Sequence, residues 1–499
     1  MYGQCTVHAA TLRGVEAVPV EVEVVVSSGM PAFSVVGMPD AAIQEARERV
    51  RAALRSCGFS MPRDKVVVNL APGSLKKAGS GFDLPIAVGV LAATRQIDPH
   101  LTDGFVLVGE LSLEGGVRPV HGLLAYALCA RRMGAALVCA EAENIVSIEG
   151  LDQRTVRTLE DFRTGRFAPA ACMPCSDAGA CPDFGDVAGH DIAKRALQVA
   201  AAGNHGVLMM GPPGSGKTML ASRLPSILPP LGKDEALAAA LIHSVAGEDP
   251  APLLAGIRPF RSPHHSASLA GLVGGGTPPR PGEISLAHNG VLFLDELAEF
   301  KPSVLQGIRQ PIEEGRVSIT RADGNVVFPA RFALVAASNP CPCGYCGDPE
   351  VACTCTVPQM RAYRNRIGGP LMDRIDLHID VRRIPPRQVL EAGRGTSSEK
   401  LREGVMRARE YASWRRARAG QDDPAAAHPA AADLMAACAL AEGDRAFYED
   451  AARANHMSGR AITRTLAVAR TIVDMDESPS VGRRHLCEAL GFRVREGLQ

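Results

Sequence analysis

The segment GVLMMGPPGSGKTMLASRL, residues 206–224, leaves the chain few folds to choose from. Four apolar residues, Val207–Met210, run into Gly211, Pro212, Pro213, Gly214, Ser215, Gly216, Lys217 and Thr218, and a helical pattern follows. A strand, a glycine-rich turn and a helix start, in that order, aim backbone N–H groups and the positive end of a helix dipole at one point, where phosphates bind. Lys217 is placed to meet the β- and γ-phosphates, and the Thr218 hydroxyl to ligate Mg2+. The expected fold is α/β, with a parallel-sheet core carrying this loop, and the expected cofactors are ATP and Mg2+.

Further strand ends extend this reading. GVLFLDEL places Asp295 and Glu296 after four apolar residues. A buried parallel strand ending in paired carboxylates suits Mg2+ coordination by Asp295 and activation of the attacking water by Glu296. RFALVAASN ends in Asn339, at the strand end where such sheets hold ligands. Asn339 either holds the attacking water or caps the next turn.

GGPLMDRIDLHIDV carries Arg374 at a helix end, placed to reach a neighbour's nucleotide or to pair with Asp373 or Asp376. In MSGRAITRTLAVARTIVDM, Ile462, Leu466, Ala469 and Val473 fall at helical spacing. Arg460 in its first turn, in preference to Arg464 one turn on, is expected to fold over the phosphates.

Composition divides the rest. Residues 1–165 alternate β-type runs such as VPVEVEVVVSS and KVVVNL with helical patterns, which predicts a separate α/β domain. Residues 166–185 read as a Pro/Ala/Cys/Gly linker, 186–385 hold the nucleotide motifs, and 386–499 are Ala-, Arg- and Glu-rich with helical periodicity, which predicts a helical bundle serving as a C-terminal lid domain. Lys plus Arg number 54 and Asp plus Glu 54, so any nucleic-acid contact must come from a local patch. The longest apolar run, Leu84–Thr94, is too short to span a bilayer, so no membrane is expected. Without an export signal, the 14 cysteines are expected to be reduced in the cytoplasm.

That expectation bears on NPCPCGYCGDPEVACTC, residues 339–355, which holds Cys341, Cys343, Cys346, Cys353 and Cys355. A disulfide knot is disfavoured. Two groups of thiolates can close a tetrahedral Zn2+ site and order a loop that lacks a core of its own; the alternative is reduced thiols without metal. The linker cysteines Cys172, Cys175 and Cys181 are assigned no metal.

Two insertions decorate the nucleotide core. Residues 264–283, HHSASLAGLVGGGTPPRPGE, form a Gly- and Pro-rich loop in which His264 and His265 contact DNA or pack the loop, and are not metal ligands. GRVSITRADGNVVFPARF reads as a hairpin turning at Asp323-Gly324, with Arg321 near its tip.

In this order the motifs resemble the AAA+ ATPases. FRSPHHSASLAGLVGGGTPPRPGEISLAHNGVLFLDELAEF, NPCPCG and FSVVGMPDAAIQEARERVRAAL narrow the resemblance to the magnesium-chelatase-like YifB/ComM family, over nearly the whole chain. The resemblance implies that Arg374 is an arginine finger acting in trans within a homo-hexamer, and that Arg460 is a second sensor. It implies that both insertions line a pore around single-stranded or branched DNA, with Arg321 and Arg280 as phosphate contacts. The implied activity is a DNA helicase or translocase that drives branch migration in natural transformation, with recombination proteins as partners. A magnesium-chelatase-like remodelling chaperone and an ATP-binding regulatory scaffold are the alternatives. Family members show Cys-x-Cys pairs, which implies Zn2+ on Cys341, Cys343, Cys353 and Cys355, with Cys346 spare. GSGFDLPIAVGV and the text after it resemble the Lon-protease-type (ribosomal S5 domain 2-like) fold. Its serine slot falls on Gly81 and its lysine slot on Leu124, with Ser80 one residue out of place, so no peptidase activity is expected.

Overall fold

The computed structural model describes residues 3–143, 145–171, 181–321, 324–385, 387, 395–420 and 431–493, with Arg321 and Gly324 described by their backbone alone. Cys172, Cys175 and Asp323 lie outside the described residues, as do residues 386, 388–394, 421–430 and 494–499 of the expected lid.

Alternating valines build the N-terminal sheet. In β2 (Glu16–Ser27), Val20, Val22, Val24 and Val26 are buried while Glu21 and Val25 face outward, as a period of two requires. β2 pairs antiparallel with β1 (Gly3–Arg13) and β4 (Lys65–Ala71). With β3 (Ala32–Val36), β5 (Phe105–Leu107), β6 (Ala136–Ala140), β7 (Gln153–Val156) and β8 (Ala168–Pro169), they form a mixed sheet of order β8-β7-β6-β5-β1-β2-β4-β3.

Helix α1 (Ala41–Ser56) starts where the Asp40 carboxylate accepts the Ile43 N–H at 2.9 Å, and buries Ile43, Ala46, Val50, Ala53 and Leu54. Helix α2 (Asp83–Ala93), the run that raised the membrane question, is buried on every side within this domain. Among the described residues, no helix is long and apolar enough to cross a membrane.

In the second half, β9 (Val207–Met210), β10 (Phe260–Arg261), β11 (Val291–Leu294), β14 (Ala333–Ser338) and β15 (Leu377–Asp380) make an all-parallel sheet of order β10-β11-β14-β9-β15. β9, β11 and β14 are buried at every residue, which explains their unbroken apolar text. The hairpin β12 (Arg316–Arg321) and β13 (Gly324–Pro329) stands between β11 and β14 in the chain.

The C-terminal helices do not form a detached bundle. Leu401 and Val405 of α9 (Ser398–Arg418) and Leu466, Ala469 and Val473 of α12 (Gly459–Met475) share one core with Val207, Val335 and α4 (Asp191–Gly203).

The linker expected at 166–185 shrinks from both ends. β8 completes the N-terminal sheet, and Phe184 is buried in the core around the parallel sheet, with its N–H donated to Ser398 Oγ at 2.8 Å. The domains are also joined by a seam the sequence did not announce. Helix α3 (Leu123–Met133) packs on α6 (Lys233–Ala246), where Leu124 and Ala127 share a cluster with Leu231, Ala236, Ala239, Ala240 and Leu253. The Gly122 N–H donates to the Ser244 carbonyl at 2.8 Å, and the Leu124 N–H to Ser244 Oγ at 3.2 Å.

Candidate functional site

Register fixes what meets at the sheet's carboxyl edge. Met210 lies beside Ser338 on one side and Asp380 on the other, so Gly211 and Asn339 emerge together. Gly214 and Gly216 take φ of +74° and +88°, which lets the loop turn into α5 (Lys217–Ile227). Lys217 is buried, with Nζ 2.7 Å from the Gly211 carbonyl, 2.9 Å from the Pro212 carbonyl and 3.3 Å from Asn339 Oδ1. Burial pushes its ammonium below the ordinary lysine value, opposed by the carboxylates of Asp295 and Glu296.

The Thr218 hydroxyl donates to Asp295 Oδ2 at 2.7 Å. Ser215 Oγ is buried and has no hydrogen-bond partner among the described residues. An orphaned hydroxyl inside a glycine-rich cradle, beside a lysine and a hydroxyl–carboxylate pair, fits the phosphates of Mg2+-ATP. Thr218 and Asp295 would hold the metal, which neutralises developing phosphate charge, and Lys217 with the loop N–H groups would hold the phosphates.

Glu296 follows at φ +51°, a left-handed conformation that costs a non-glycine residue free energy and is concentrated at functional sites. Its carboxylate is not free: His265 Nδ1 lies 3.1 Å from Glu296 Oε2. The His265 ring packs at 4.0 Å on His264 and edge-on to Phe300, and His264 Nδ1 turns to Ser266 Oγ at 2.7 Å. His265 was read as a DNA contact or loop filler; it is the partner of the candidate base. No local signal could have found it, because the pair joins an insertion to a strand end thirty-one positions later.

The two arginines go elsewhere. β15 runs parallel to β9 with Leu377 beside Val207, so Arg374, just before β15, lies where the strands begin, while the phosphate loop lies where they end. Four residues of strand separate these edges by about 13 Å. Neither Asp373 nor Asp376 pairs with Arg374. Its Nη1 donates to the Pro370 carbonyl at 2.7 Å, and its Nε sits 2.9 Å from Glu313 Oε1. This second contact is an ion pair too bent for a hydrogen bond, since Nε–H has no acceptor by geometry.

Arg460 Nη2 reaches the same Glu313 oxygen at 2.9 Å. Arg464 binds the Arg374 carbonyl and Asp376 Oδ1, each at 2.6 Å. The expectation that Arg460 folds over its own chain's phosphates is therefore corrected, because α12 docks against the opposite edge of the sheet. A cavity of about 790 Å3 opens at that edge between sheet and lid, with Arg331, Arg374, Arg409 and Arg464 in its wall.

The first cysteine of the loop, Cys341, lies two residues past Asn339. Sγ of Cys341 is 3.4 Å from Cys343 and 3.7 Å from Cys353, Cys343 is 3.5 Å from Cys353, and with Cys355 all four sulfurs lie within 4.8 Å of one another. Sulfurs bound at about 2.3 Å to one tetrahedral ion stand about 3.8 Å apart, so the set fits zinc. Cys346 is not in it. The Tyr345 backbone N–H, first among several donors, draws the Cys343 thiol down to about 5. The loop also touches the nucleotide site: a Cβ on Gly344 would come within 2.6 Å of Pro213 Cδ, and Arg383, whose Nε lies 3.7 Å from Asp348 of the loop, donates to the Pro213 carbonyl at 3.3 Å.

The insertions meet each other. Residues 264–283 are not a bare loop, for they contain a short helix, Leu269–Val273, and a ribbon pairing Gly274–Gly275 with Arg280–Pro281. A Cβ on Gly274 would lie 3.4 Å from Ile319 Cδ1 of the hairpin. Arg280 is exposed, and Arg321 pairs with Gly324 at the hairpin end.

In the N-terminal domain, the residues at the two expected peptidase slots are packed. Leu124 is buried in the seam, and a Cβ on Gly81 would meet Val108, Val120 and Tyr126. Ser80 Oγ hydrogen-bonds the Glu110 carboxylate. The neighbouring Lys77 is fully buried and donates to the carbonyls of Leu70 at 2.7 Å, Gly37 at 3.0 Å and Pro72.

A phosphate loop, an Asp-Glu strand end and a polar strand-end residue on a parallel sheet of this order, closed by helices, define an AAA+ ATPase. Residues 183–389 match the model described as magnesium chelatase, subunit ChlI; residues 22–144 match subunit ChlI of Mg-chelatase, and 395–493 its C-terminal part. The chain belongs to the magnesium-chelatase-like YifB/ComM family. It is 41% identical to the uncharacterized protein YifB of Salmonella typhimurium, over 99% of this chain and 97% of that one. It is 42% identical to competence protein ComM of Haemophilus influenzae, over 98% and 97%. It is 31% identical to the magnesium-chelatase 67 kDa subunit of Chlorobaculum parvum, over 32% of this chain and 23% of that one.

Proposed function

We propose that the chain is a ring-forming motor that hydrolyses ATP to move on single-stranded or branched DNA in the cytoplasm. Its role would be a ComM-like branch-migration helicase that serves recombination in natural transformation. The carrying observation is a continuous line of contacts: the hairpin meets the Gly-rich ribbon at Ile319 and Gly274, and the same insertion reaches Glu296 through His265. A polymer gripped at the insertions is thereby connected to the residue that activates water.

The ring, a homo-hexamer by family resemblance, is supported by Arg374 standing at the edge of the sheet opposite Lys217. From there a guanidinium serves a neighbour's nucleotide and not its own. Phosphate contacts by Arg280 and Arg321, repeated around a ring, supply binding that zero net charge does not oppose. A structural Zn2+ on Cys341, Cys343, Cys353 and Cys355 braces the strand-end loop without entering the chemistry.

The test is the ATPase rate with and without forked or single-stranded DNA, with Glu296→Gln as the inactive control. The reading predicts stimulation by DNA that Arg321→Ala removes. A rate indifferent to DNA but altered by porphyrin would replace it with a magnesium-chelatase-like remodelling activity, and indifference to both would leave a regulatory scaffold.

A further inference from the structure

Glu313 stands on α7 (Pro302–Glu314), which runs within two residues into the hairpin strand β12. One oxygen of its carboxylate lies 2.9 Å from Arg374 Nε, which comes from the core, and 2.9 Å from Arg460 Nη2, which comes from the first turn of a lid helix. Two guanidinium groups brought to one point repel unless an anion lies between them. Both contacts are ion pairs and neither is an aligned hydrogen bond, so the arginines are gathered without being locked.

We propose that Glu313 is the positioning residue for the arginines this chain presents to a neighbouring subunit. Its carboxylate holds the core arginine and the lid arginine as one unit and ties that unit to the hairpin. The inference rests on the reading of Arg374 as a finger acting in trans. It adds that the finger works as a pair set by Glu313. Without the carboxylate, the two cations separate and the neighbour's terminal phosphate loses its counter-charge at the moment of transfer.

The experiment mixes full-length variants. Arg374→Ala chains keep their own phosphate loop but offer no finger; Lys217→Ala chains offer a finger but cannot use ATP. Mixed in equal amounts, they are expected to restore ATPase activity at least about fivefold above the sum of the separate preparations. Donors carrying Lys217→Ala together with Glu313→Gln are expected to restore at least about tenfold less, while eluting as the same assembly on gel filtration.

A single Glu313→Gln chain is expected to bind a fluorescent ATP analogue with unchanged affinity, because its own phosphate loop is on the far edge. Undiminished or increased restoration by the Glu313→Gln donors overturns the proposal and leaves the trans finger standing. Loss of assembly by those donors also overturns it, by making Glu313 a structural residue. Failure of the Lys217→Ala donors themselves overturns the trans reading, and this inference with it.

Discussion

His265 Nδ1 and Glu296 Oε2 are held 3.1 Å apart, so the insertion before the Asp-Glu strand restrains the carboxylate that ends it. A base engaged with an imidazole is a poorer acceptor for the proton of an attacking water. His265→Ala is expected to raise the DNA-free ATPase rate by about fivefold, the rate equivalent of a polar side-chain contact worth about 1 kcal/mol. The ratio of rates with and without DNA should fall by the same factor. Steady-state rates of the two proteins, measured side by side, decide the matter; an unaltered ratio would sink the idea.

Protein purified without chelator is expected to carry about one zinc per chain, released by thiol-specific titration. Cys353→Ser should lose the metal and lower the melting temperature. Because Gly344 abuts Pro213, it should also weaken ATP binding by about tenfold, a typical cost of disturbing the support of a site. Less than half an equivalent of metal in the unsubstituted protein would count against the site.

His288 makes stability depend on pH. It is buried, its Nδ1 accepts the Arg331 N–H at 3.0 Å, and burial, aided by the Arg331 charge, pushes it down to about 4. The unfolded chain binds this proton near pH 6.5 and the folded chain resists it until about pH 4, so stability falls as pH falls through that window. The loss is roughly 3 kcal/mol at about 1.4 kcal/mol per unit. His288→Asn, which keeps an acceptor and does not titrate, should flatten this part of the curve in urea melts between pH 4.5 and 7.5. Asp376 adds a separate loss at lower pH. Burial pushes its carboxyl up, but His205 and Arg464 outweigh that and hold it well below the usual range.

Ser80→Ala is expected to leave the ATPase rate within about twofold, since this hydroxyl meets only a glutamate and no lysine amine. Peptide hydrolysis should be undetectable in both proteins. Cleavage that depends on Ser80 would reverse the assignment of this domain.

What was legible in the sequence follows the range of the interactions. The strand, glycine turn and helix of the phosphate loop lie within twenty residues, and Asp295, Glu296 and Asn339 each end a run of buried residues, so local text located all of them. The four clustered thiols are likewise close in the chain. Arg374 stands out in the text, but the sequence suggests its partners next door in Asp373 and Asp376, whereas Glu313 lies sixty-one positions away on another element. Arg460 was given the wrong edge because helical periodicity says which face of α12 is buried and nothing about where that helix docks. The seam between α3 and α6 had one faint signal. EALAAALIHSVA is apolar around more of its circumference than a helix with one solvated face requires.

That seam makes the two halves one heritable unit. A shorter gene that encoded only the ATPase half would leave Leu231, Ala236, Ala239, Ala240 and Leu253 facing water as an adhesive stripe. Domain shuffling at the linker is thus opposed by a surface, not by the linker's chemistry, and the N-terminal sheet travels with the ATPase half whether or not it retains an activity of its own.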